Sequence, residues 1–290
     1  MEPLSNVGVV IAHFDPHGRL ARYLIDLVAA LQRAGARIVF VSTGLTPAAA
    51  QALSTLAEVS IRENIGYDFW SYKLGLDLLG NPQGYQRILL LNSSFLVLEP
   101  ERLIAQFLAA TGKADLLGLT YSRERQLHLQ SYWVCFDGPA ILASDAFAQW
   151  WREMAPINER QQVIDTYELR MTEFFAARGF SIGSVFAPGR AEKLVASCRA
   201  VELGYLRPDP GKQGPVSLDI DMSEALNPTH FFWDALLQRL GIVKWELLKA
   251  NPHGINTVRL LRHLHSQDRY RLLLEDALAS QAPDADTPGA

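Results

Sequence analysis

Apolar and polar positions along this chain switch repeatedly between a strand period and a helix period. VGVVIAHF (7–14) predicts a strand, and GRLARYLIDLVAALQRAG (18–35) a helix with Leu20, Leu24, Leu27 and Leu31 on one side and Gly35 at its end. RIVFVST (37–43) predicts a second strand; Thr46 then caps a short helix with Pro47 in its first turn, and EVSIREN (58–64) predicts a third strand. Asp68 reads as the cap of a helix reaching Leu79, and a strand follows at 87–94. A helix near 100–110, a strand at 115–121 and a longer extended stretch, LHLQSYWVCFDGPAILA (127–143), come next. Helices are expected near 145–154 and 158–178, with Gly179 breaking the second, and SIGSVFA (181–187) as a late strand. From 188 to 228 glycine, proline and charge rise without a sustained period, which predicts loop or lid; 229–280 returns to helices, and QAPDADTPGA reads as a disordered tail. Such alternation is what an α/β fold with a mostly parallel sheet flanked by helices requires, here with a helical C-terminal extension.

Composition fits that picture. A chain of 290 residues, 49% hydrophobic and 20% charged, has ample core for one large α/β domain over 1–228, a helical extension packed on it over 229–280, and the tail at 281–290. The formal charge of −4 offers no overall positive field for a polyanion, so nucleic acid is not an expected partner. Cys135 and Cys198 belong to no CxxC or Cys/His cluster, which argues against a disulfide framework and a zinc site and fits the reducing cytosol. No apolar run reaches spanning length and no basic leader precedes the first strand, so a cytoplasmic, unprocessed protein is expected. GxGxxG after the first strand, GxxxxGK[ST], GxSxG and HExxH are all absent.

Chemistry-bearing residues gather at the predicted strand ends: His13 and Asp15, Ser42 and Thr43, the stretch 64–68, and Asn92 to Ser94. In RENIGYDFWSYKLGL (62–76) a strand stops at an Asn-x-Gly turn and a helix follows; RILLLNSSFLV (87–97) is then an apolar strand ending in small polar residues. That order builds a pocket at the carboxyl edge of a parallel sheet, where nucleotides bind. His13, Asp15 and His17 have a metal-like spacing, but Pro16 and Gly18 read as a loop with incidental polarity. Trp70, Tyr72, Trp150 and Trp151 suit either sugar stacking or core packing. Arg259, Arg262, Arg269 and Arg271 beside a leucine stripe suit a docked helix with a solvated rim, or a contact with an anionic membrane.

RENIGYDFWSYKLGL, ILLLNSSFLV, HLQSYWVCF, YELRMTEFFAARGF, NPTHFFWDAL and VKWELLKANP resemble, in order and over about residues 7 to 256, the rhamnan synthesis protein F family. The resemblance implies a glycosyltransferase adding rhamnose or a related deoxysugar, from a dTDP-rhamnose-like nucleotide-sugar, to a bacterial surface polysaccharide such as lipopolysaccharide O-antigen. Glycan or lipid-linked glycan acceptors and peripheral membrane or assembly contacts are the implied partners. The segments are also similar, more distantly, to inverting enzymes of glycosyltransferase A-like fold. There an Asn-x-Gly turn, a helix and a strand ending in Asp-x-Asp hold the nucleotide-sugar, and a later Glu-Asp pair opens the helix that carries the base.

Asn64 and Gly66 match the turn, Asn92-Ser93-Ser94 stands where Asp-x-Asp would be, and Tyr167-Glu168 stands where Glu-Asp would be. The resemblance thus makes Glu168, read as lying at or near a helix start, the base; Asp165, Glu173 and Asp137 are the competing carboxylates. Asn92-Ser93-Ser94 brings no carboxylate for a divalent cation, so no metal ligand is assigned and metal dependence stays open. Donor binding is assigned to Arg62, Asn64, Gly66, Asp68, Lys73, Asn92, Ser93, Ser94 and His230, the basic groups facing the diphosphate. Alternation puts His128, Gln130 and Tyr132 on one face, opposite Leu129, Ser131 and Trp133; His128, Gln130 and Ser131 are assigned to the acceptor. The missing Asp-x-Asp motivates an alternative, a non-catalytic carbohydrate-binding or assembly module.

Overall fold

The computed structural model describes residues 4–205 and 220–279. Its strands, in chain order, are β1 (Val7–His13), β2 (Arg37–Ser42), β3 (Glu58–Ile61), β4 (Arg87–Asn92), β5 (Phe95–Val97), β6 (Leu116–Gly118), β7 (Tyr121–Ser122), β8 (His128–Leu129), β9 (Trp133–Asp137), β10 (Ile182–Ser184) and β11 (Ile242–Lys244). Seven of these form one sheet in the order β10-β6-β9-β4-β1-β2-β3, with β9 antiparallel to both neighbours and the other pairs parallel. The mostly parallel, helix-flanked sheet expected from the sequence is therefore present, together with a helical C-terminal part.

Helices on both faces explain why the central strands read as unbroken apolar runs. Val9 and Ile11 of β1 pack with Ile38, Phe40, Leu89 and Leu91 against the helices Arg22–Arg33 and Pro100–Ala110. Val10 and Ala12 pack the other way, with Val39, Val41, Ile88 and Leu90, against the helices Tyr67–Leu79 and Leu169–Ala176. The chain runs β1 to β2 to β3 in one direction and then returns β4 to the far side of β1, so the crevice at the carboxyl ends of β1 and β4 is a topological switch point. Antiparallel β9 brings residues 131 and 132 to that same edge, where Asn92 N donates to Tyr132 O at 3.2 Å.

The structure corrects several expectations. The stretch 127–143 is not one extended segment: β8 pairs with β7, β9 joins the main sheet, and Pro139–Leu142 is a helical turn. Within 188–228, read as loop, Arg190–Glu202 is a helix. Gly189 N donates to Glu192 Oε2 at 2.6 Å to start it, and Arg199 ties it to Asp234 by two bonds of 2.8 and 2.6 Å. The remainder of the expected lid at 206–219 and the expected tail at 281–290 lie outside the described residues. In the C-terminal part, expected to be all helix, β11 forms an antiparallel ribbon with β5 in the register Ile242↔Val97, Val243↔Leu96 and Lys244↔Phe95. Among the described residues no helix is long and apolar enough to cross a membrane.

The helix Tyr67–Leu79 sits so close to β1 that a Cβ on Gly75 would lie 2.2 Å from Val10 Cγ1. A Gly75→Ala change gains roughly 1 kcal/mol of helix propensity and loses about 1–3 kcal/mol to overpacking against a β-branched neighbour that cannot swing away. We expect a net loss of up to about 2 kcal/mol, read as a lower urea midpoint at unchanged m-value.

Candidate functional site

A cavity of about 690 Å³ opens at the switch-point edge, within the size range of small-molecule sites. Asp68, Asn92, Ser94, His128, Gln130, Ser131 and Glu168, all assigned from sequence, line it together. Tyr132, Lys244, Trp245, Glu246, Asn227 and His253 belong to the wall as well, with Glu124, Arg125 and Arg160 also in its lining.

The turn that delivers Asp68 is built from its own backbone demands. Gly66 has φ +71° and is followed by Tyr67 at φ +52°, two successive left-handed residues. A Cβ on Gly66 would lie 2.5 Å from Trp70 Cβ, so glycine is required there. Gly66 N donates to Asn158 Oδ1 at 3.0 Å. Arg62 closes the loop from inside: its guanidinium donates to Glu63 O, Ile65 O and Tyr67 O at 2.5–2.6 Å and to Ser71 Oγ at 2.6 and 2.9 Å. Lys73 donates to Trp151 O, Arg152 O and Met154 O at 2.6–3.2 Å, satisfying carbonyls at the end of the helix Asp145–Arg152. Arg62 and Lys73, assigned to the donor from sequence, thus hold the loop and a helix end and do not line the cavity.

Other assignments shift as well. Gly66, not Asp68, is the helix N-cap; Asp68 sits in the first turn and accepts from Asn92 Nδ2 at 2.7 Å. Asn64 is exposed outside the lining, and Ser93 is outside it too, its Oγ accepting from Phe14 N at 3.4 Å and its carbonyl from Tyr23 Oη at 3.1 Å. His230 is fully buried behind the wall, its ring 4.8 Å from that of His253 and its Nε2 3.8 Å from Glu246. Burial and the neighbouring His253 and Lys244 pull its pKa down to about 3, which keeps the imidazole neutral. Of the competing carboxylates, Asp137 pairs with Arg87 at 2.5 Å far along β9, and exposed Asp165 pairs with Arg125 at 2.9 Å. Asp15 Oδ1 accepts from the backbone N of His17 and Arg19 at 2.9 and 3.0 Å, an Asx turn in the loop that had metal-like spacing.

Glu168 directly precedes the helix Leu169–Ala176, as expected, but the chain is already helical before it. It ends a π-helical turn, Ile164–Glu168, in which Leu169 N donates to Ile164 O, between the helical segments Arg160–Val163 and Leu169–Ala176. Single π turns recur at functional sites because the extra residue re-aims one side chain without ending the helix. Glu168 Oε1 lies 3.4 Å from Ser131 N and 3.8 Å from His128 Nε2. His128 Nδ1 donates to Gln126 O at 2.9 Å, so it is Nε2 that faces the carboxylate.

Lys244 is the residue sequence reasoning missed. Its Nζ donates to Ser94 Oγ at 2.7 Å and sits 4.3 Å from the centre of the Tyr132 ring; Ser94 Oγ in turn donates to Asn92 Oδ1. Burial pulls the Lys244 pKa down to about 8 against the pull of Glu168, Glu246 and Asp68. Burial pushes Asp68 up to about 6, Glu168 adding to the rise, while Lys244, Asn92 and Arg62 oppose it. Lys244 lies in VKWELLKANP, one of the segments that carry the family resemblance, but no chemistry-bearing spacing singles it out there. Among the described residues no three His, Cys, Asp or Glu side chains stand close enough to hold a metal ion.

Residues 38–201, more than half of the chain, match the family described as rhamnan synthesis protein F. Protein y4gN of Sinorhizobium fredii is 26% identical over 215 residues, 71% of this chain and 55% of that protein. Virulence protein VirA of Vibrio anguillarum is 26% identical over 204 residues, 67% of this chain and 62% of its own. The chain thus spans less than two thirds of these relatives' lengths. Among solved structures, the glycosyltransferase GlyE of Streptococcus pneumoniae overlays with a TM-score of 0.45 at 10% identity, covering 97% of this chain and 66% of that one. The mannosyltransferase PcManGT of Pyrobaculum calidifontis, in complex with GDP-Man and Mn2+, gives 0.42 at 13% identity, covering 95% and 86%.

The raised Asp68 pKa has a stability consequence. Between the unfolded value of 3.8 and about 6 the folded state holds the proton more tightly, so ionisation of Asp68 costs stability as pH rises through that window. Asp68→Asn keeps an acceptor for Asn92 and removes the cost. We expect it to be more stable than the parent by on the order of 1–3 kcal/mol at pH 7.5 and nearly equal to it at pH 4, measured by urea unfolding at both values.

Proposed function

The chain belongs to the rhamnan synthesis protein F family, and we propose that it is a glycosyltransferase of glycosyltransferase A-like fold that moves a sugar from a nucleotide-sugar to a glycan acceptor. One observation carries this reading: Asp68, Asn92 and Ser94 meet Glu168, His128 and Ser131 around one cavity at the switch point of the sheet. The donor diphosphate lies along the Asp68–Asn92–Ser94 side, and the acceptor enters past His128, Gln130 and Ser131. Glu168 on the acceptor side takes the proton of the attacking hydroxyl. As that oxygen bonds to the anomeric carbon, the bond from this carbon to the diphosphate oxygen breaks, and its electron pair leaves on the nucleoside diphosphate. A single displacement of this kind inverts the anomeric centre.

The family name favours rhamnose or a related deoxysugar carried on a dTDP-like nucleotide, with a bacterial surface polysaccharide such as O-antigen as the product. A lipid-linked acceptor would bring the protein to the inner face of the cytoplasmic membrane. The donor-binding set contracts to Asp68, Asn92 and Ser94, since Arg62 and Lys73 are engaged by backbone carbonyls.

Glu168→Gln preserves size and loses the base. We expect release of nucleoside diphosphate in the presence of acceptor to fall by about 10²–10⁴, while donor affinity stays within a few-fold. Asp165→Asn, on the outer side of the helix, should leave turnover unchanged. Full transfer by the Gln variant refutes the base; binding of nucleotide-sugars by the parent without any turnover favours a carbohydrate-binding or assembly module.

A further inference from the structure

We propose that Lys244 is the built-in counter-charge for the donor diphosphate, taking the place that a metal ion would need carboxylates at 92–94 to occupy; this rests on the glycosyltransferase reading above. The end of β4 offers Asn92, Ser93 and Ser94, neutral oxygens and an amide that cannot balance a diphosphate. Lys244 supplies the missing charge at that spot, its ammonium 2.7 Å from Ser94 Oγ.

Its position is fixed from three sides. Backbone pairing sets Lys244 opposite Phe95, one residue beyond Ser94, and Trp245 N donates to Ser94 O at 3.2 Å. The side chain runs over the Tyr132 ring, and the Tyr132 hydroxyl is itself held 2.8 Å from Thr120 Oγ1. A charge already in place needs little reorganisation when the leaving group departs. The other cations near the cavity are otherwise placed: Arg125 pairs with Asp165 at the exposed rim, and Arg160 lies 3.7 Å from Glu246. In the free protein Glu168, Glu246 and Asp68 supply the negative charge around Lys244, with Arg160 opposing them and the buried His230 imidazole neutral. A bound diphosphate adds to the negative side and favours the ammonium further.

The experiment measures binding of dTDP, UDP and GDP by calorimetry without divalent cation, with thymidine, uridine and guanosine as controls over the same pH range. For whichever nucleotide binds, Lys244→Met should weaken the diphosphate by about 10–100-fold and leave the nucleoside unchanged, and Lys244→Arg should retain most of the affinity. In the unmodified protein the diphosphate, and not the nucleoside, should lose affinity above about pH 8, the value to which burial brings Lys244. Equal diphosphate affinity in parent and Met variant overturns the proposal, as does a flat diphosphate-minus-nucleoside profile to pH 10, a readout that needs no variant to fold. Absence of binding by any nucleotide to the parent overturns the glycosyltransferase reading itself and this proposal with it.

Discussion

Two carboxylates and one ammonium share a half-buried space at the carboxyl edge of the sheet, and much of the surrounding architecture serves to hold them there. Asp68 and Glu168 repel one another, and burial penalises both Asp68 and Lys244 in their charged forms. Left to itself such a cluster would open to water. The Arg62 clamp, the Gly66–Tyr67 left-handed turn, the π turn before Leu169 and the β5–β11 ribbon keep it closed. Each spends local strain or donors on geometry, in the manner of sites kept at the expense of stability.

The C-terminal part is more than a cover for the sheet. Residues beyond 228 supply Lys244, Trp245, Glu246 and His253 to the cavity wall, and the Trp245 Nε1 bond of 3.1 Å to Tyr23 Oη locks that wall onto the first helix. Tyr23 Oη reaches on to Ser93 O, so the loop after β4 is held from behind while its Asn92 and Ser94 side chains face forward. The cavity is therefore lined by segments from Tyr67 to His253, far apart in the chain, and its shape depends on their docking.

Continuous apolar runs made the central strands readable from sequence, because burial on both faces leaves no polar alternation to misread. The Asn-x-Gly turn was readable too, since a left-handed residue flanked by Trp70 leaves room for glycine alone. Lys244 was not: it comes from a three-residue strand 150 positions from its partner Ser94, and VKWELL fits a helical period as well as a strand followed by a helix. The helix Arg190–Glu202 was hidden by the glycine and proline on either side of it, which dominate a wide window. Arg62 and Lys73 show the limit of reading charge by neighbourhood. Both lie within the motif, yet free carbonyls of the loop and of a helix end claim their donors before any ligand can.

The same distances separate the roles of the two carboxylates. Asp68 is tied to Asn92 by a 2.7 Å bond and belongs to the Lys244–Ser94–Asn92 chain, the side proposed for the leaving group. Its raised pKa of about 6 would suit a base, but a base must first reach the proton it removes. Glu168 touches Ser131 N at 3.4 Å and faces His128, so its carboxylate is directed toward the polar wall of β8 and the start of β9. An acceptor hydroxyl approaching along that wall meets Glu168 before Asp68. On the proposed glycosyltransferase reading, deprotonation falls to Glu168 and Asp68 orients Asn92 on the donor side, where a negative charge near the sugar would favour the cation-like transition state.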